Sequence, residues 1–397
     1  MSSKNITIEI PESLLSAVLN QDKVVQAPHN FYRYPARFSP VFAREAILAF
    51  TTPGDTVLDP FCGGGTTLVE AISTGRRTAG FDISTLATFI SKVKTSPLSI
   101  HDKRAIAAWI SHLEDFEETT TGVLLSAEDI HYHRNLPAQA RRFFEKVLTA
   151  LSYLGNDRQR RFVRLGLLRV GQAALDCKDE TPSQNWFLQR FKFQLTEMLE
   201  QHFEFISQAS SVNHIPRCRI QSIRRIINKS SEFIHENGSI PKSWLPATLV
   251  LTSPPYPGIH VVYHRWQING RKETPAPFWL ANSLDGAGEA YYTLGRRTER
   301  ELRTYYHRLR VTFESVRELL SKRSTVVQLV SFSNPGSQLP AYLKKMEEAG
   351  FRELKIHCSK NYLSHGRIWR AVPGRKWYVK GKENPSSKEV LLIHRPQ

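Results

Sequence analysis

The stretch that decides the fold is TVLDPFCGGGTTLVEAISTGRRTAGFDIS, residues 56–84. It begins with a short apolar run that ends in an acid, Asp59, and this run predicts a strand. Three glycines follow, and then an apolar segment with helical spacing that Gly75 closes. A second apolar run ends in another acid, Asp82. The order of strand, glycine loop, helix and strand is typical of a parallel α/β sheet.

The glycine loop and the two acids predict a ligand site at the carboxyl ends of these strands. Gly63, Gly64 and Gly65 let the backbone turn sharply and approach a ligand closely. The loop lacks the lysine of a phosphate-binding P-loop, so a phosphate cradle is disfavoured. Asp82 follows the first acid by about 20 residues, a spacing that suits a carboxylate accepting both hydroxyls of a ribose. The pattern favours a nucleoside without a pyrophosphate, and a strained turn without a ligand is the alternative.

A second stretch, LVLTSPPYPGIH at residues 249–260, is a short apolar run that ends in a rigid corner. Two adjacent prolines can continue neither a helix nor the middle of a sheet. The corner is therefore either an ordinary tight turn or a stiff wall that holds a flat group.

The remaining pattern extends the α/β sheet and interrupts it with helices. A helix is predicted to begin near Ser39, and leucine, alanine and phenylalanine recur at helical spacing from about residue 85 to 221. Further strands and helices are predicted from residue 223 onward. The predicted division is 1–90 and 223–397 for two parts of one α/β domain, and 91–222 for a mostly helical insertion.

Taken together, DPFCGGGTT, GFDIS and TSPPY resemble the exocyclic amino-methyltransferases of DNA, which use S-adenosylmethionine to methylate N6 of adenine or N4 of cytosine. The segment YPARFSP resembles the family motif that closes over the methionine end of the cofactor. The resemblance covers roughly residues 29–90 and 225–397 and leaves out the helical insertion. It implies a Rossmann-like methyltransferase sheet.

The resemblance also implies roles for individual residues. The hydroxyl of Ser253 and the carbonyl of Pro254 would accept the two N–H groups of the target amine, Pro255 would stiffen the corner, and Tyr256 would stack on a base flipped out of the duplex. Asp82 would bind the ribose of the cofactor. The other residues implied to lie near the cofactor are Asp59, Phe61, Gly63, Gly64, Gly65, Phe38 and Pro40.

The first residue of the corner bears on the choice of base. Serine at position 253 is the form associated with N4-cytosine enzymes, so the sequence predicts a cytosine-N4 DNA methyltransferase. An N6-adenine enzyme, an RNA methyltransferase and a non-catalytic DNA-binding relative are the alternatives. Carbon-5 methylation needs a Pro-Cys nucleophile, and no cysteine follows a proline in this chain.

Charge predicts the partner. The 397 residues carry a formal net charge of +17, and the pI is about 9.8. A basic excess of this size favours a polyanion partner, nucleic acid first and an anionic membrane second. The resemblance implies that this partner is double-stranded DNA, and a cognate restriction endonuclease is an open second partner. A solvated helical face is the alternative for each single arginine. The helical insertion, residues 91–222, is the candidate target-recognition region. The arginines predicted to contact DNA are Arg141, Arg142, Arg265, Arg271, Arg296 and Arg297.

Other patterns argue against a membrane, a metal and a disulfide framework. We see no secretory signal and no apolar window of about 18 residues. The four cysteines lie far apart, which fits a reducing cytoplasm. His131 and His133, spaced like alternate strand residues, have no cysteine or second pair nearby, so no metal site is predicted.

Overall fold

The computed structural model describes residues 6–22, 25–34, 38–115, 127–236, 238–257, 265–268, 270, 272–284, 298–357, 363–371 and 388–397. The strands are β1 (Thr7–Glu9), β2 (Thr56–Asp59), β3 (Arg77–Asp82), β4 (Arg224–Asn228), β5 (Ala247–Thr252), β6 (Trp266–Ile268), β7 (Lys272–Thr274), β8 (Leu320–Ser331), β9 (Phe351–His357), β10 (Leu363–Ser364), β11 (Arg367–Ala371) and β12 (Lys388–Pro396). The α-helices are α1 (Glu12–Leu19), α2 (Pro40–Phe50), α3 (Thr66–Ser73), α4 (Thr85–Thr95), α5 (Ile100–Ser111), α6 (Ala127–Tyr132), α7 (Ala138–Ala150), α8 (Asp157–Leu175), α9 (Gln184–Val212), α10 (Ala276–Ala281), α11 (Glu299–Arg317) and α12 (Pro335–Glu348).

The main sheet has the strand order β1-β9-β12-β8-β5-β2-β3-β4, with the β10–β11 hairpin joined to β12. Neighbouring strands are parallel except at β12, which runs antiparallel to both β8 and β9. Helices cover both faces, so the predicted α/β class is confirmed. Strands β6 and β7 form a separate antiparallel ribbon.

The chain reverses its direction across the sheet between β2 and β5. From β2 it moves outward through β3 to β4, and from β5 it moves the other way to β8. These two central strands pair directly, with Val57 opposite Leu249. A crevice forms at the carboxyl ends of strands where the order reverses, and ligands of open α/β sheets bind there. The glycine loop follows β2 and the proline corner follows β5, so both lie at this point.

The alternating direction of side chains along β2 and β5 explains why helices cover both faces of the main sheet. Val57 and Leu249 point into a cluster with α1 and α2, whereas their neighbours Leu58 and Val250 point into a cluster with α11 and α12. Successive strand residues face opposite sides of a sheet, so a continuous apolar run requires a helical layer on each side. Each such buried side chain contributes about 1.5–3 kcal/mol of transfer free energy.

Most of the helical region forms a second hydrophobic body built on α4, α5, α7, α8 and α9. Helix α4 crosses residue 90, and the body also takes in segments from beyond residue 222, namely β6 and α10. Trp266 of β6 packs so closely on α8 that a Cβ at Gly171 would lie 2.4 Å from its ring. The strand-like spacing at His131 was misleading, because α6 includes that residue. Within the described residues, no helix is long and apolar enough to cross a membrane.

Candidate active site

The glycine loop is a sharp turn held from behind by α4. Gly63 and Gly65 have φ of +48° and +81°, in the left-handed region that glycine adopts without steric cost. The Ser91 hydroxyl donates to the Gly63 carbonyl at 2.7 Å, and the buried Lys94 ammonium donates to the Gly64 carbonyl at 3.1 Å. Loop carbonyls thus point toward α4, which fixes the backbone without using the loop's outer face.

Tyr34 explains the middle glycine. A Cβ at Gly64 would lie 2.6 Å from the Tyr34 Cβ, which is closer than real Cβ contacts come. The tyrosine belongs to the segment YPARFSP, so this segment does reach the loop, although residues 35–37 lie outside the described part of the chain. Side-chain packing, as well as turn geometry, therefore requires glycine here.

Asp59 lies behind the loop and is 1% exposed. Its Oδ2 accepts the Thr67 hydroxyl at 2.6 Å, and its Oδ1 accepts the Thr252 hydroxyl at 2.7 Å and the Phe61 N–H at 3.1 Å. Burial raises the pKa of this carboxyl to about 6 despite these donors. The carboxylate therefore ties the end of β2 to the end of β5, directly before Ser253. Neither threonine was among the predicted site residues, although TT follows the glycines in the sequence.

Asp82 ends β3 beside the loop and is half-buried. Its Oδ2 accepts the Gly63 N–H at 2.9 Å and its Oδ1 accepts the Ser84 N–H at 2.8 Å. The Asn228 amide donates to the backbone carbonyls of Asp82 and Ile83, both at 2.9 Å. Burial raises the pKa of Asp82 to about 6. A carboxylate oxygen can accept more than one hydrogen bond, so this group can still accept ligand hydroxyls.

The proline corner is anchored on three sides. The Thr252 hydroxyl donates to the buried Asp59 carboxylate behind the loop, and the Pro255 carbonyl accepts the Tyr305 hydroxyl at 2.9 Å. The Ser253 Oγ lies 3.0 Å from the Leu329 carbonyl oxygen and 3.0 Å from the Tyr256 Oη. Ser253 itself is half-buried, and these two contacts position its hydroxyl.

Tyr256 is 6% exposed and its hydroxyl points into the protein. It donates to Glu389 Oε1 at 2.7 Å, while Arg370 donates from Nε and Nη2 to Glu389 Oε2 at 2.9 and 2.7 Å. Sequence reasoning missed this pair, because β11 and β12 lie more than a hundred residues beyond the corner and no local motif marks them. The stacking role of the Tyr256 ring stays a prediction.

The two predicted phenylalanines lie on opposite faces of the sheet. Phe61 is half-buried and packs against the cluster that contains Tyr256. Phe38 is 7% exposed, and its ring contacts Phe42 of α2 edge-on at 5.6 Å between centroids. Phe61 thus lies on the same face of the sheet as Tyr256, whereas Phe38 belongs to the α1–α2 layer.

The predicted DNA-contacting arginines fall into two groups. Arg271, Arg296 and Arg297 lie outside the described residues. Arg142 is exposed on α7, where Arg141 lies 3.7 Å from Glu145 of the same helix. Arg265 precedes Trp266, whose ring centroid is 6.5 Å from that of Phe144 on α7. The structure therefore brings the α7 segment and the segment after the corner into one helical body.

Comparison with known proteins finds sequence similarity over part of the chain. Residues 12–91 match a family model described as DNA methylase, of N6 and N4 type. The chain is 33% identical over 135 residues to the Type II methyltransferase M.MvaI of Kocuria varians, covering 32% of this chain and 28% of that protein. It is 29% identical over 89 residues to the Type II methyltransferase M.MjaII of Methanocaldococcus jannaschii, covering 22% and 17%.

Among solved structures, the rRNA methyltransferase aviRa of Streptomyces viridochromogenes is 8% identical over 94% of each chain, with a TM-score of 0.36. That likeness is too distant to bear on function. The chain spans less than a third of the length of either curated relative. By sequence, the part of the chain that contains the glycine loop, Asp59 and Asp82 is similar to the N6- and N4-type DNA methylase family.

Proposed function

We propose that this protein is a DNA methyltransferase that transfers a methyl group from S-adenosylmethionine to an exocyclic amine, the N4 amine of cytosine. One observation carries the proposal: the glycine loop and the Ser-Pro-Pro-Tyr corner meet where the strand order reverses, and Asp59 joins them. A cofactor at the loop would therefore lie beside an amine held at the corner.

The residues at the loop fit the cofactor. Asp82 offers carboxylate oxygens at the crevice, and its raised pKa reports a site where hydroxyl donors would stabilise the charge. Ribose hydroxyls are such donors. Gly63 and Gly65 would let a methionine moiety approach the backbone, and Asp59 would act indirectly by holding the loop. S-adenosylmethionine would supply a methyl group that its sulfonium already activates.

The corner would position the target amine. An exocyclic amine is a weak nucleophile because its lone pair is delocalised into the ring, so two acceptors must orient it. The Ser253 hydroxyl and the Pro254 carbonyl would accept its two N–H groups, and the anchored backbone would keep them from reorganising during the reaction. The Tyr256 ring would stack on the flipped base, and Phe61 would pack near the cofactor.

The choice of cytosine over adenine rests on Ser253, and N6-adenine methylation is the second candidate because the matched family includes both types. The net charge of +17 supports DNA as the partner. Arg141, Arg142 and Arg265 are the described candidates for contacting it. Such an enzyme would act in the cytoplasm, and a cognate restriction endonuclease is a further proposed partner.

Expression in a methylation-free host, followed by sequencing that distinguishes N4-methylcytosine from N6-methyladenine, tests the proposal. We expect N4-methylcytosine at one short sequence with the wild type, and unmodified DNA with Ser253→Ala. N6-methyladenine would establish the adenine alternative. Unmodified DNA from the wild type, together with no calorimetric heat on adding S-adenosylmethionine to the purified protein with DNA, would refute the enzyme.

A further inference from the structure

A chain of polar groups leads from the amine-holding corner into the protein. The Ser253 Oγ lies 3.0 Å from the Tyr256 Oη, which donates to Glu389 Oε1 at 2.7 Å. Glu389 is 6% exposed and is carried by β12, the antiparallel strand beside β8. Both steps are within ordinary O–H···O distance, so the three groups form one connected path.

The far end of the path is a carboxylate whose two oxygens have different partners. Arg370 donates from two nitrogens to Glu389 Oε2, and its side chain is 9% exposed. Both guanidinium bonds end on this one oxygen, and charge-assisted hydrogen bonds of this kind fix the orientation of the carboxylate. Because Oε2 receives both guanidinium bonds, Oε1 is the oxygen that faces the Tyr256 hydroxyl.

Methylation of an amine creates a proton that must leave. When the nitrogen lone pair forms the new N–CH₃ bond, the S–CH₃ bond breaks and its electron pair stays on sulfur. The nitrogen then carries a positive charge until it loses a proton. Neither prolines nor backbone carbonyls can take a proton at neutral pH, so the corner motif alone does not provide for this step.

We propose that Glu389 is the terminal proton acceptor of the reaction, reached through Ser253 and Tyr256. The amine proton passes to the Ser253 Oγ as the serine proton passes to the Tyr256 Oη and the tyrosine proton passes to Glu389 Oε1. The product amine and Glu389 end neutral, and both hydroxyls are regenerated. This inference rests on the proposed function.

The serine proton has two acceptors within reach, because the Leu329 carbonyl oxygen is also 3.0 Å from the Ser253 Oγ. Pointing at that carbonyl, the hydroxyl leaves its lone pairs for the amine N–H groups, as substrate binding requires. Rotation toward Tyr256 opens the relay. The Ser253 hydroxyl thus has two orientations, one toward the Leu329 carbonyl and one toward the Tyr256 hydroxyl.

The test compares Glu389→Gln and Tyr256→Phe with a matched control. Glu353 forms a bidentate pair with Arg367 at 2.5 and 2.8 Å on the neighbouring strands. Among the described residues no hydrogen bond joins it to the corner, so Glu353→Gln removes a similar charge. Single-turnover methyl transfer to a DNA duplex is measured for each variant, with dissociation constants for S-adenosylmethionine and DNA. Tyr256→Phe keeps the Glu389–Arg370 pair, so it tests the relay even if Glu389→Gln folds poorly.

We expect transfer to slow on the order of 10²-fold in Glu389→Gln and Tyr256→Phe, with no further loss in the double variant, as for groups in one proton path. Both dissociation constants and the Glu353→Gln rate should stay within about twofold. The solvent deuterium isotope effect of the wild type should disappear in Tyr256→Phe, a change that a structural role would not cause.

Losses that multiply in the double variant, or wild-type rates in Glu389→Gln, would overturn the relay alone. Absence of transfer by the wild type would overturn the proposed function and the relay with it.

Discussion

Asp59 permits a quantitative test of how the loop is joined to the corner. Its carboxyl is 1% exposed, and burial raises its pKa from 3.8 to about 6. The folded state therefore holds this proton more tightly than the unfolded state. The resulting stabilisation is fully present below the unfolded pKa, and it is lost as the pH rises through the folded pKa.

The size of the effect follows from the two pKa values. Between pH 4.5 and 7.5 the contribution of Asp59 to the unfolding free energy falls by about 2 kcal/mol, which corresponds to roughly 1.4 pKa units. Asp59→Asn has no such proton, although it also loses one of the two oxygens that accept the Thr67 and Thr252 hydroxyls. Urea denaturation of both proteins at the two pH values measures the difference, because the other titrating groups are shared.

We expect the unfolding free energy of the wild type to fall by about 2 kcal/mol more than that of Asp59→Asn over this range. A difference below about 0.5 kcal/mol would mean that Asp59 is ionised without penalty in the folded protein. It would then be solvated and could not be the buried link between β2 and β5.

Further predictions concern the cofactor side, the amine side and the helical body. Asp82→Ala should weaken S-adenosylmethionine binding at least tenfold by calorimetry. Ser253→Ala should lower turnover and leave that affinity within about twofold. Equal losses of affinity in the two variants would contradict their separate roles. Gly171→Ala should lower the unfolding free energy by about 1–3 kcal/mol, because its Cβ would lie 2.4 Å from the Trp266 ring. In Gly155→Ala the nearest atom would be 3.8 Å away, so thermal unfolding should change little, and equal shifts in the two variants would argue against the packing.

Much of the framework could be predicted because its determinants are local. The run from β2 through the glycine loop to β3 combines strand alternation, positive-φ turn residues and helical spacing within about 30 residues. The predicted helix start near Ser39 is confirmed, with Ser39 before the first residue of α2. The proline corner was also correctly predicted at the end of a strand, β5.

The lead-in and the helical body were less predictable. β1 has only three residues, too few for a period, and it becomes a strand only by pairing with β9. Trp266 and Phe278 lie in the sequence after the corner but pack into the helical body. Their apolar character was visible, but which surface would bury them depends on how the chain folds back.

The sequence by itself determined that a glycine loop and a Ser-Pro-Pro-Tyr corner would each end a strand, because strand period, glycine φ and proline stiffness are properties of a few adjacent residues. Only the tertiary structure decided that Asp59 would bridge the loop and the corner, and that Glu389 would meet the Tyr256 hydroxyl 133 residues away. Contacts over such separations follow from the order of strands in the sheet, which no local pattern encodes.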